Sequence, residues 1–156
     1  MIGPNAEIYA IDTDRARLVE LDRAYRSRFG TSPVAGERLH RIHADFTRAL
    51  DLPRLDGIVM ANALHYFKNK QSVLRHVRSC LKPNGACLLV EYNVDSGNPW
   101  VPYPLSFETF RALAPSVELT TPQLLATIPS RFLREFYSAV AYKQAEDVSA
   151  EQKYSA

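Results

Sequence analysis

Short apolar runs alternate with amphipathic stretches along the 156 residues, the pattern of an α/β fold. Ile8, Tyr9, Ala10 and Ile11 predict a first strand over 7–11. From residue 15 to residue 29 the apolar positions Leu18, Leu21, Tyr25 and Phe29 recur at helical spacing, with Val19 beside them. Asp14 is placed to cap that helix, and Gly30-Thr31-Ser32-Pro33 to stop it. A short strand follows over 39–43, ending at Ala44-Asp45-Phe46. The near-continuous apolar run over 57–61 predicts a parallel strand buried on both faces, ended by Asn62.

Val73, Leu74, Val77 and Leu81 mark the buried stripe of a second helix over 70–81. It stops at Lys82-Pro83-Asn84-Gly85, because proline cannot continue a helix and Asn-Gly tolerates positive φ. A fourth apolar strand follows over 86–92. Residues 93–104 read as a loop, and Ser106 can cap a short helix over 107–113. The segments 117–128, broken by Pro122, and 135–142 read as an antiparallel pair closing one edge of the sheet. The polar, aperiodic residues from Lys143 onward read as a frayed tail.

Composition narrows the picture modestly. A chain of this length is one domain with a single core. Its 46% hydrophobic and 23% charged content is that of an ordinary globular protein. A net charge of +2 is too small to argue for nucleic acid or an anionic membrane. The arginines over 15–28 alternate with Asp14, Glu20 and Asp22, a solvated helix face rather than a phosphate patch. Cys80 and Cys87 form no CxxC pair and have no adjacent histidine, so they read as buried, reduced thiols with no metal role. No signal peptide and no apolar run of about 20 residues is visible, which reads as cytoplasmic.

Candidate chemistry sits at the strand ends. A carboxylate such as Asp12, at the end of a parallel strand, can accept two hydrogen bonds from a ribose diol; equally it can be a turn acid. Asp45 ends the next strand in the same way and is followed by aromatic Phe46, a pair suited to an adenine amino group and ring face. Beyond Asn62, His65 is either a general base working near neutral pH or a histidine packed at the mouth of the following helix. Trp100, Tyr103 and Arg131 either line a substrate pocket or are ordinary loop packing.

Taken together, "AEIYAIDTDRARL", "IHADFTRAL", "LDGIVMANALHYFKNKQSVLRHVRSCLKPNGACLLVEY" and "PSRFLREFYSAVAYK" resemble a class I, Rossmann-like S-adenosylmethionine-dependent methyltransferase. The resemblance covers residues 6–143, with 144–156 as a polar tail, and implies a mostly parallel sheet with an antiparallel C-terminal strand pair. It implies that Asp12 holds the ribose hydroxyls, Asp45 and Phe46 read the adenine, and Ala61-Asn62 lie near the methionine part of the cofactor. It implies methyl transfer and names no catalytic residue; the modest net charge of +2 favours a small-molecule acceptor.

The family's first strand and its GxGxG loop are expected ahead of Asn5, and the chain is therefore expected to be N-terminally incomplete. That strand belongs between the strands ending at Asp12 and Asn62. Cofactor binding is accordingly expected to be weakened or lost, with an oligomer or partner chain covering the exposed strand edges. Two other readings are a catalytically inactive methyltransferase-like interaction module and an NAD-binding oxidoreductase fragment. The Lys-Pro-Asn-Gly turn and the C-terminal pair favour the methyltransferase.

Overall fold

The computed structural model describes residues 6–30 and 38–145. The helix stop at Thr31-Ser32-Pro33 and the tail residues 146–156 lie outside the described residues. The chain forms two compact units, Met1–Asp51 and Leu52–Ala156.

The first unit is a strand–helix–strand crossover. Strand β1 (Ile8–Asp12) and strand β2 (Leu39–His43) pair in parallel from Ile8↔Leu39 to Asp12↔His43. Helix α1 (Arg15–Phe29) begins where predicted: Asp14 has extended backbone, and its Oδ1 accepts from the Ala16 amide at 2.8 Å. Gly30 ends the helix at φ 83°, a region open to glycine, and its N–H donates to the Arg26 carbonyl at 2.9 Å. Asp22 accepts from Arg26 at 2.8 Å and pairs with Arg41 at 3.2 Å, tying α1 to β2. The expected apolar stripe is only partly used. Leu18 is the one buried residue of α1, while Leu21 and Phe29 are exposed.

The second unit is a four-stranded sheet in the order β3 (Leu55–Ala61), β4 (Leu81–Tyr92), β6 (Glu135–Tyr142), β5 (Gln123–Pro129). Strands β3 and β4 are parallel, while β6 runs antiparallel to both β4 and β5. Helix α2 (Lys70–Cys80) is capped by Asn69, whose side chain accepts from the Ser72 amide at 3.0 Å. Helix α3 (Phe107–Leu113) is capped by Ser106. The core gathers Leu64, Leu74, Leu81, Leu89, Phe110 and Leu119, all fully buried. Each such side chain contributes about 1.5–3 kcal/mol by leaving water.

Four expectations change in detail. Strand β3 is not buried on both faces: it pairs only with β4 among the described residues, and Val59 stays exposed. Strand β4 begins at Leu81, but its ladder with β3 jumps from Leu55↔Leu81 to Gly57↔Ala86, so Lys82-Pro83-Asn84-Gly85 bulges out of register. Asn84 takes φ 61°, and a Cβ on Gly85 would sit 2.9 Å from the Lys82 carbonyl oxygen. The strand expected from 117 begins later: Val117 ends a 3-10 turn (Ala114–Val117), Pro122 cannot donate to a ladder, and β5 starts at Gln123. Lys143 is not frayed: it is buried, bonds Asn84 and Gly85 through its backbone, and its Nζ donates to the Leu81 carbonyl at 3.1 Å. Cys87 is buried in β4, which pushes its thiol up to about 11, whereas Cys80 is only half-buried at the end of α2.

Candidate active site

In the first unit, Asp12 and Asp45 stand at the C-terminal end of a two-stranded parallel ladder. The Ala44 amide donates to the Asp12 carbonyl at 3.2 Å, so the two strand ends are joined. Asp12 Oδ1 accepts from the Asp14 amide at 2.8 Å, the turn role open to it from the sequence. Asp45 Oδ1 accepts from the Thr47 amide at 2.9 Å and from Thr47 Oγ1 at 2.7 Å. Thr47's hydroxyl and amide, together with nearby Arg48, hold the Asp45 carboxyl below the usual aspartate value. Phe46 follows on the same loop and is half-buried. Two ionised acceptors on neighbouring strand ends suit groups that offer several hydroxyl or amino donors.

In the second unit, β3 ends at Asn62, whose φ of 53° is a left-handed conformation that asparagine tolerates. Its N–H still donates to the Val90 carbonyl at 3.0 Å, continuing the β3–β4 pairing to the point where the backbone leaves the strand. The 3-10 turn Leu64–Tyr66 follows and carries His65. His65 is buried, with 3% of its surface exposed. Its Nδ1 lies 2.8 Å from Oε2 of Glu91, a fully buried acid on β4. Glu91 Oε1 accepts from the Leu64 and His65 amides at 2.9 and 3.2 Å.

One carboxylate thus receives both leading amides of the turn and the imidazole it presents. Because a carboxylate only accepts, the arrangement puts the His65 proton on Nδ1 and leaves Nε2 to take another. Tyr137, opposite Glu91 on β6, is buried without a hydrogen-bond partner for its hydroxyl among the described residues. Burial and the Glu91 charge push that hydroxyl far up, so it stays protonated.

The other side of the turn is held by Lys70. Its Nζ donates to the carbonyls of Leu64 at 3.1 Å and Phe67 at 2.6 Å, and to that of Tyr103. The Tyr103 amide in turn donates to the His65 carbonyl at 3.0 Å. The 93–104 loop is therefore fastened to the histidine turn at two points. Tyr103 itself serves this fastening through its backbone, with its ring 5.7 Å from Lys70 Nζ.

A row of aromatic rings continues from His65. Tyr66 lies 4.3 Å from it and Tyr92 6.0 Å; Tyr92 meets Phe136 at 4.1 Å and Phe132 at 6.0 Å; Phe132 meets Trp100 edge-on at 6.2 Å. Just past the Tyr92–Phe136 pair is an open cleft of about 440 Å³ lined by Asn93, Pro129, Arg134 and Glu135. Arg131 is exposed on the same connection, but Arg134 is the arginine that lines the cleft. Glu91, Lys70, Phe132 and Arg134 were not singled out from the sequence. Only Glu91 left a signal there, as an acid inside an otherwise apolar strand.

The chain itself falls in a known family. A family described as "Methyltransferase domain" matches residues 2–87, more than half of the chain. No curated protein matches it. Among solved structures, the CurJ carbon methyltransferase is similar at 19% identity and TM-score 0.71, over 92% of this chain and 43% of its own. The 1,6-didemethyltoxoflavin-N1-methyltransferase of Burkholderia thailandensis, bound to S-adenosylhomocysteine, is similar at 17% identity and TM-score 0.67, over 88% and 61%. The N-methyltransferase NodS of Bradyrhizobium japonicum, also bound to S-adenosylhomocysteine, is similar at 12% identity and TM-score 0.66, over 88% and 66%. The chain spans about half the length of the first solved structures it matches. These likenesses show the expected fold.

Proposed function

The chain belongs to the methyltransferase-domain family, and on that premise we propose that it serves methyl transfer from S-adenosylmethionine to a small-molecule atom that must lose a proton. The observation that carries the second half is the buried Glu91–His65 pair. Bound S-adenosylmethionine supplies an electrophilic methyl group on a sulfonium.

The first unit's Asp12 would accept from the ribose hydroxyls, and Asp45 beside Phe46 from the adenine amino group. The chemistry of the donor set fits: both acids end paired parallel strands, and the Thr47 bonds keep Asp45 ionised. Within the 156 residues there is no GxGxG loop, so we take the affinity of this chain for the cofactor to be weak.

His65 would take the acceptor's proton on Nε2 as the acceptor atom attacks, while Glu91 holds the ring's tautomer and balances the imidazolium. The acceptor atom belongs to a carbon acid or a hydroxyl under this reading, since either becomes nucleophilic on losing a proton. The neighbours include a carbon methyltransferase and a nitrogen methyltransferase, so the fold leaves that choice to the site.

The test is transfer of labelled methyl from S-adenosylmethionine to a panel of phenols and 1,3-dicarbonyl compounds. His65→Ala is expected to slow transfer by about 10²–10⁴-fold, with S-adenosylhomocysteine binding unchanged. Equal rates in His65→Ala and the parent would remove His65 as the base.

A further inference from the structure

The proposal rests on the methyl-transfer reading of the same unit and names the acceptor's chemical class. We propose that the acceptor is a flat, unsaturated ring bearing an anionic group, laid along the aromatic row between His65 and Trp100 with its anion at Arg134.

Three observations support it. First, the row is exposed where a folded domain would ordinarily bury rings: Trp100 is 71%, Tyr66 56% and Phe132 50% accessible. A planar ligand would remove that surface from water and gain offset or edge-to-face contacts with each ring. Second, the row is continuous with the base. Every step from His65 to Trp100 is 6.2 Å or less between centroids, within the range of interacting aromatic pairs. A ring seated on Tyr92 and Phe132 is therefore one aromatic neighbour away from His65.

Third, the far end is charged and held in shape. Ser130 Oγ accepts from the Phe132 and Leu133 amides at 3.1 and 3.4 Å, and the Ser130 amide donates to the Arg134 carbonyl at 2.7 Å. This compact turn fixes Phe132 and Arg134 together, with Arg134 at a left-handed φ of 49°. Neither Arg131 nor Arg134 has an ion-pair partner among the described residues. The acid beside them, Glu135, already accepts from Asn93 Nδ2 at 2.6 Å. A carboxylate or similar anion in the cleft would meet the Arg134 guanidinium, with Arg131 exposed on the same connection.

Trp100 is the only tryptophan in the chain, so its indole N–H gives one signal in a ¹⁵N-edited spectrum. The probes are 4-hydroxybenzoate and its saturated counterpart, trans-4-hydroxycyclohexanecarboxylate, added without cofactor. The aromatic acid is expected to shift the Trp100 signal saturably and to bind about fivefold or more tightly than the saturated acid. Phe132→Ala should weaken it by a similar factor and Phe132→Tyr should restore it; Phe132 is half-exposed, so the fold tolerates either. Arg134→Gln should weaken 4-hydroxybenzoate but not phenol.

Equal affinity for the two acids, or no saturable shift, would overturn the proposal. So would a Trp100 signal that moves with protein concentration alone, since a second copy would then cover the rings. Because binding is read without methyl transfer, a failed transfer assay with intact binding counts against His65 as base and leaves the acceptor site standing.

Discussion

Glu91 Oε2 lies 2.8 Å from His65 Nδ1 with both side chains sealed from solvent, and the other oxygen of Glu91 receives the Leu64 and His65 amides. A single acid thus sets the tautomer of the proposed base and builds the turn that carries it. Glu91→Ala leaves three buried donors without an acceptor and should cost about 3–5 kcal/mol of the second unit's stability. Glu91→Gln keeps the shape but lets the amide donate where an acceptor is needed. It should slow methyl transfer by at least about tenfold and alter the pH–rate profile, while thermal unfolding shows a folded protein. A Glu91→Gln protein with unchanged rate and pH profile would reduce Glu91 to packing.

Lys70 is predicted to give an alkaline stability signature. Burial holds its amine down to about 8, from an ordinary value of 10.5, despite the nearby Glu91 charge. Between those pH values the unfolded chain binds a proton that the folded chain does not. Stability should therefore rise as pH climbs from about 8 to about 10.5, and below that window the cost of burying the cation is fully present. Urea unfolding across this range should show the rise in the parent and its absence in Lys70→Met. The Lys70→Met protein should also lose the fastening of the 93–104 loop, seen as line broadening of the Trp100 indole signal.

Asp45 should titrate on the acid side. Thr47's hydroxyl and amide favour its ionised form, so its folded value lies below that of an ordinary aspartate. The stability this contributes to the first unit is fully present above that ordinary value. It is lost as pH falls through the folded one. Carboxyl ¹³C titration should place Asp45 below an ordinary aspartate, and Thr47→Val should move it upward. No movement would mean that Thr47 does not hold the carboxylate.

The bulge after α2 should not accept a side chain at Gly85. A Cβ there meets the Lys82 carbonyl oxygen at 2.9 Å and the Leu81 side chain at 3.1 Å. The neighbouring backbone is itself tied to Lys143. Gly85→Ala is expected to destabilise the second unit by about 1–3 kcal/mol, read as a lowered urea midpoint. Gly30→Ala makes the contrasting case: among the described residues nothing lies within 4 Å of a Cβ there, and the loss expected is that of its φ of 83°.

Much of the fold was legible because local chemistry and tertiary structure agree. The Asp14 and Ser106 caps, the α2 stripe and the antiparallel 135–142 strand stand where spacing and capping put them. Apolar pattern misled where it marks a face without saying what covers it: Val59 on β3 and Leu21 and Phe29 on α1 stay exposed. The candidate acids on β1 and β2 were readable because strand-end position is a local feature. Glu91 was not, since its role comes from a partner 26 residues earlier that only the β3–β4 pairing brings beside it. Phe132 and Arg134 sit in an irregular turn with no periodicity to announce them.

The central claim, that this is a methyltransferase fold reading its nucleoside through the β1 and β2 strand ends, is tested most directly by calorimetric titration of S-adenosylhomocysteine into the 156-residue chain. The account predicts saturable one-to-one binding with a Kd on the order of 0.1–1 mM, weakened about tenfold by Asp12→Asn and similarly by Asp45→Asn. Affinity unchanged in both variants, or no saturable binding up to roughly 5 mM, would contradict it.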